Sequence, residues 1–276
     1  MTEAISPLRA LLNVEASTPL PRLSSAMMLD APENREIRDI WLLPPDNPGL
    51  HAGRKVAVIA TDGVEEIELT TVMHYFRSCS AQLDLIAPKK PSYPDYLGLQ
   101  VPAIRETHIL TINFVATSGW IRFDRHLEDA AAQDYDVVIV PGGVWNPDTL
   151  RGNASAIGFV QAAAAAGKIV AAICHGPWVL SDAGLTRGKR ATGWWSIKPD
   201  LENAGATFVD EPAVTDGTIV TARAPIDLAA FVHAIDHLLD VTSRRDQSLK
   251  PRLDVPSGLK PAPPSDVHRV SQPLGE

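Results

Sequence analysis

A chain of 276 residues, 45% hydrophobic and 21% charged, carries enough apolar material for one sizeable core and falls among ordinary globular proteins. Its formal charge of −8 and pI near 5.5 argue against a phosphate-backbone partner, so no nucleic acid is expected. There is no apolar run of about 18 residues to span a membrane and no signal-peptide pattern at the start. The two cysteines, Cys79 and Cys174, make neither a disulfide framework nor a zinc site by spacing. The expectation is a cytoplasmic protein with no membrane contact, no metal and no cofactor.

Residues 1–53 form a proline-rich N-terminal arm, with "STPLPRLSS" and "LLPPDNPGLHAG" as its clearest stretches. Closely spaced prolines exclude helix interiors and central strands, so the arm reads as extended, apart from a helical pattern at residues 7–14. Trp41, Leu42 and Leu43 are the residues that could dock one of its segments on a core.

From residue 54 the pattern alternates. "RKVAVIA" (54–60) is an apolar strand, and residues 66–78 follow with helical spacing at Ile67, Leu69, Val72, Met73 and Phe76. Strand patterns recur at 81–87, at "YDVVIV" (135–140), at "KIVAAIC" (168–174) and at "TIVTA" (218–222). Residues 154–166 are an alanine-rich helix with Asn153 as N-cap. Residues 226–240 close the core with Leu228, Phe231, Val232, Ile235, Leu238 and Leu239 on one helix face. Continuously apolar strands alternating with helices imply an α/β fold with a mostly parallel sheet covered on both faces. One domain over 54–241 follows, with 242–276 as a C-terminal tail. Residues 90–134 fit less well and read as a hairpin or an insertion near one edge.

Ligands of a parallel sheet bind beyond the carboxyl ends of its strands. Three polar turns follow those ends: "TDGVEEIEL" with Asp62, Glu65, Glu66 and Glu68, then "PGGVWNPD", then "CHGPW". The last has small residues two before and two after Cys174, Ala172 and Gly176, as a nucleophile elbow requires. Pro177 suits the first position of the following helix, whose N-terminus favours thiolate over thiol. The backbone N–H groups of His175 and Gly143 are candidates for an oxyanion hole. Two readings of Cys174 stay open here, a buried filler at a strand end or a nucleophile held on a turn. Adjacent side chains rarely point the same way, so the His175 imidazole is expected to face a neighbouring subunit rather than the thiol.

"AICHGPW", "PGGVWNPDTLR", "DGVEEIEL" and "LENAGATFVDEPAVTDGTIVTARAPIDL" together resemble the PfpI-type intracellular proteases of the DJ-1/PfpI superfamily, over residues 54–241. The resemblance implies a flavodoxin-like sandwich, a reactive cysteine at Cys174 with His175 beside it, and a carboxyl group hydrogen-bonded to the thiol, which by motif position is Glu68. Glu65 and Glu66 are then solvated acids at a helix N-terminus. A further acid, matching Asp148, would reach the histidine of an adjacent subunit in a homo-oligomer, a dimer or larger. Trp145, Trp178 and Trp194 either line the pocket or pack at the sheet edge or a subunit contact. Trp195 stands where relatives often place proline.

The activities this implies are glutathione-independent glyoxalase, deglycase, and peptide or amide hydrolysis, with a small-molecule or peptide as substrate. The alternative is a redox-sensing, stress-protective protein that uses Cys174 without turnover. Cys79, about 18 Å away along a helix, is a poor resolving partner. A glutamine amidotransferase would need a downstream His-x-Glu, and neither His233 nor His237 is followed by one. A transcription regulator would need a DNA-binding domain that neither tail supplies; Arg244, Arg245, Lys250 and Arg252 read as a solvated tail.

Overall fold

A computed structural model describes residues 25–89 and 103–244. Two helices come first, α1 (Ser25–Asp30) and α2 (Arg35–Leu42). There follow β1 (Lys55–Ile59), the short β2 (Val64–Glu65), α3 (Glu66–Ser78) and β3 (Gln82–Ala87). A hairpin of β4 (His108–Asn113) and β5 (Ala116–Arg122) precedes β6 (Arg125–His126) and β7 (Val137–Val140). Then come α4 (Trp145–Arg151), α5 (Ala154–Ala165), β8 (Ile169–Ile173) and α6 (Pro177–Asp182). The chain continues through β9 (Arg190–Ala191), α7 (Lys198–Asn203), β10 (Thr207–Phe208) and β11 (Ala213–Asp216). It closes with β12 (Ile219–Ala222) and α8 (Leu228–Arg244).

The main sheet runs in the order β11-β12-β8-β7-β1-β3-β6, with every neighbouring pair parallel except β11 against β12. Alternate side chains of each central strand feed opposite core layers, as the pleat requires. Val56, Val58, Ile139 and Ile173 pack with α3 and α8, whereas Ala57, Ile59, Val140 and Val170 pack with α5. The fold is therefore the expected α/β sandwich of flavodoxin type. The order places β8, β7 and β1 side by side, so the three polar turns meet at one edge. Asn153 caps α5 as expected, its side chain accepting the Ala156 N–H at 3.0 Å. No helix among the described residues is long and apolar enough to cross a membrane.

One expectation changes. Residues 25–42 are largely helical, not extended. Pro32 starts a single 3₁₀ turn and Pro44 and Pro45 lie beyond the end of α2, so the prolines bound the helix instead of breaking it. Of the three proposed docking residues only Trp41 packs on the core, where its ring stacks on His74 at 4.5 Å and its Nε1 donates to Thr71 Oγ1 at 2.9 Å; Leu42 and Leu43 are exposed. Ile37, fully buried, is the second anchor. The pattern at residues 7–14 lies outside the described residues. The hairpin read within residues 90–134 is present as β4 and β5, and it joins no edge of the main sheet. They build a separate three-stranded sheet with β2, in the order β2-β4-β5, directly above the turn that follows β1.

The N-terminal helices thus depend on one aromatic anchor. Trp41→Ala is expected to lower the unfolding free energy by about 2 kcal/mol in urea denaturation, from the lost stack, hydrogen bond and buried area. It should also raise amide exchange across residues 35–42 before the central strands exchange.

Candidate active site

The site is built where the three turns collide. Cys174 follows β8 with φ +61°, a left-handed conformation that a side-chain-bearing residue rarely adopts. Its neighbours hold it there: the Cys174 N–H donates to the Ala222 carbonyl at 3.0 Å, and its own carbonyl accepts the Trp194 N–H at 2.7 Å. Gly176 sits so close to β7 that a Cβ there would lie 2.3 Å from the Val140 carbonyl oxygen. This is the close strand–helix approach that the elbow pattern demands.

Glu68, in the first turn of α3, is wholly buried and points at the thiol from the other side. Its Oε2 accepts the Gly142 N–H at 2.7 Å, while Oε1 is buried without a partner among the described residues. Burial, and then the Glu65 carboxylate, push Glu68 up to about 8, against the Gly142 N–H and the Cys174 thiol that pull it down. It is therefore mostly a neutral acid at pH 7. Burial and Glu68 push the Cys174 thiol up, and the N–H groups of Gly143 and His175, both directed at the sulfur, pull it down. With Glu68 protonated, its like-charge contribution vanishes and its O–H becomes a donor to a thiolate.

His175 corrects the sequence expectation. Its ring turns inward and brings Nδ1 to 3.3 Å from Cys174 Sγ, because two indoles occupy the outward side. Trp194 stacks on the ring at 5.7 Å and Trp178 meets it edge-on at 5.1 Å. Burial pulls the imidazole down to about 4, so it is neutral, and able to accept a proton, throughout the physiological range.

Glu65 is the second correction. It is buried, not solvated, because β2 pairs with β4 and the hairpin closes over it. Its Oε2 accepts the Phe114 N–H at 3.1 Å, and burial is the main cause that pushes it up to about 7. Glu66 is partly exposed and accepts from Thr111 Oγ1 and Ser118 Oγ. Asp148 sits on α4, exposed, and joins none of these groups. Trp145 is half-exposed and lies over Gly63, where a Cβ would meet its Cβ at 2.3 Å. Trp195 packs against the buried Arg223 at 5.6 Å and donates Nε1–H to Asp210.

Sequence reasoning missed Asn146. Fully buried, it accepts the Thr61 N–H at 2.7 Å and donates to the Pro141 and Gly142 carbonyls at 2.8 and 3.2 Å. One amide side chain thereby ties the turn after β1 to the turn after β7. The only hint was a short polar side chain one helical turn beyond "PGG". Among the described residues no group of three or more His, Cys, Asp or Glu side chains is arranged to hold a metal.

The DJ-1/PfpI family model matches residues 54–237, the span that carries every element of this site. The chain belongs to the DJ-1/PfpI family. General stress protein 18 of Bacillus subtilis is 34% identical over 180 residues, covering 65% of this chain and 94% of the relative. Protein/nucleic acid deglycase 2 of Escherichia coli is 32% identical over 179 residues, covering 64% and 93%. Drosophila melanogaster DJ-1beta superposes with a TM-score of 0.58 at 24% identity, over 67% of this chain and 90% of that one, which shows the shared fold.

The burial of Glu68 sets a stability test. The unfolded chain ionises this carboxyl near 4.5, whereas the folded chain holds the proton to about 8. Stability from Glu68 is thus fully present below about 4.5 and declines as the pH rises to about 8. Glu68→Gln should match wild type at pH 4 and exceed it at pH 9 by a few kcal/mol, on the order of the linkage for a shift of this size. Thermal unfolding across pH 4–9 reads the divergence. Parallel curves would mean that Glu68 is ionised in the folded protein.

Proposed function

We propose that the protein is a cysteine-dependent enzyme acting on small reactive carbonyls, as a glutathione-independent glyoxalase or deglycase. The observation that carries this reading is one sulfur met by a neutral imidazole, a buried carboxyl group and two backbone N–H groups. Its enclosure favours a small substrate over an extended peptide. Cys174 is 6% exposed and His175 8%, too little to seat a peptide backbone without rearrangement. The relative named as a deglycase agrees with this class.

With an α-oxoaldehyde, Sγ attacks the aldehyde carbon and its proton passes to His175 Nδ1. The π-electron pair moves to the carbonyl oxygen, which the Gly143 and His175 N–H groups receive. Glu68 in its ionised form, the minor one at pH 7, takes the hydrogen on that carbon as a proton and returns it to the neighbouring carbonyl carbon, whose oxygen receives the proton held on His175. The first carbon is oxidised as the second is reduced, so no external oxidant or reductant is consumed. The resulting thioester is hydrolysed by water to the 2-hydroxy acid, which returns the thiol. The unpartnered Oε1 of Glu68 is the oxygen suited to this exchange. The exposed carboxylate of Asp148 belongs to none of these steps; in a homo-oligomer it is available to a second copy.

Methylglyoxal consumption and lactate formation without glutathione test the reading. Cys174→Ser should lose at least about two orders of magnitude in kcat/KM. Lactate formed by the variant at the wild-type rate would remove Cys174 from the chemistry. No lactate from either form would shift the reading to peptide hydrolysis or to a sensing thiol.

A further inference from the structure

The β4–β5 hairpin does more than bury Glu65. At its tip Phe114 adopts φ +57°, a conformation that hairpins ordinarily give to glycine or asparagine. Phe114 is nevertheless 44% exposed. A bulky ring in a strained, solvated position is unfavourable by itself and asks for a further role. Two contacts fix it: the backbone N–H is held by Glu65 Oε2, and the ring meets Trp194 at 6.3 Å with the planes 79° apart. Trp194 stacks in turn on His175, whose Nδ1 touches the reacting sulfur. An aromatic row therefore leads from the hairpin tip to the thiol, with its outermost ring open to solvent. Glu65 adds a second anomaly, since its Oε1 is buried with no partner among the described residues. A carboxyl group kept there at that cost is explained by the bond its Oε2 accepts from the Phe114 backbone N–H.

We propose that Phe114 and Trp194 form an aromatic wall that selects carbonyl substrates bearing a planar aryl group beside the reacting carbon. Phe114 is the specificity-determining residue, and Glu65 is a positioning residue that holds the tip in place. This deepens the carbonyl reading above and rests on it for the substrate class. Offset or edge-on packing between the substrate ring, Phe114 and Trp194 supplies the selectivity. A methyl group in the same place makes few such contacts.

The test reads the site without requiring turnover. Cys174 is alkylated with bromoacetone or with 2-bromoacetophenone, a carbon–sulfur bond forming as bromide leaves, and intact mass gives each rate. Cys174→Ser supplies the background from the buried Cys79, and N-acetylcysteine corrects for intrinsic reactivity. The corrected aryl-to-methyl rate ratio is expected to be about tenfold or more in the wild-type protein. Phe114→Ala should slow the aryl reagent at least about fivefold more than the methyl one. Glu65→Ala should lower the ratio in the same direction, and Glu65→Gln, which keeps an oxygen acceptor for the Phe114 N–H, should restore it. A wild-type ratio near unity, equal slowing of both reagents in Phe114→Ala, or no labelling by either reagent would each overturn the proposal. Absent lactate formation with an intact aryl ratio would instead count against the catalytic reading alone.

Discussion

The crowding around Gly142 is the constraint on which the site depends. Its N–H is bonded to Glu68, and a Cβ there would lie 2.5 Å from Cys174 Cβ and 2.8 Å from Glu68 Oε2. No residue but glycine lets the turn after β7 pass between the thiol and the carboxyl group. Gly143 is as tightly placed, with φ +78° and a would-be Cβ 2.2 Å from the Gly63 carbonyl oxygen. Strand order therefore does more than gather residues at one edge. It presses three backbones together until two side chains and two amides share a single small volume.

That convergence explains why a carboxyl group is tolerated at a position with no exposure to water. An ionised Glu68 there would be costly, and among the described residues its support is the Gly142 N–H on Oε2 and the Cys174 thiol, with Oε1 unpartnered. The cheaper state is the protonated one, which is also the state able to donate a hydrogen bond to sulfur. Cys174 carries the opposite demand, because a thiolate needs donors. It has them in the N–H groups of Gly143 and His175, to which a protonated Glu68 would add its O–H. Burial and Glu68 thus hold the proton on the thiol, and the two backbone N–H groups oppose them.

The helices, strands and polar turns of the central domain were legible because their signals are local. Apolar runs at Val56–Val58 and Val137–Val140, an asparagine before an alanine helix and a proline after Gly176 each act within a few residues. Glu68 and Cys174 could be named from motif position for the same reason. What stayed hidden involves residues far apart in sequence. Glu65 looks like any acid at a helix start until β4, more than forty residues later, pairs beside it. His175 could not be oriented without Trp178 and Trp194, whose rings close its outward side. Residues 25–42 misled through the composition of the arm around them, since Pro32 starts a turn where the missing N–H costs nothing and Pro44 and Pro45 lie beyond α2.

The N-terminal helices and the site are mechanically connected through α3. Glu68 leaves the first turn of this helix, so any rocking of α3 would move the carboxyl group relative to sulfur. Trp41 grips the middle of the outer face, at Thr71 and His74, and His74 Nε2 lies 3.1 Å from the Ile40 carbonyl oxygen. At the far end Tyr75 donates to Asp236, which also meets His51 Nε2 at 2.8 Å and so ties α3 to α8 and to the segment leading into β1. The helix is held at its N-terminal turn by Gly142, along its outer face by α2 and near its C-terminus by α8. A displacement of about 1 Å is enough to spoil a juxtaposition of this kind, so the contacts of α3 with α2 and α8 bear on the distance between Glu68 and Cys174.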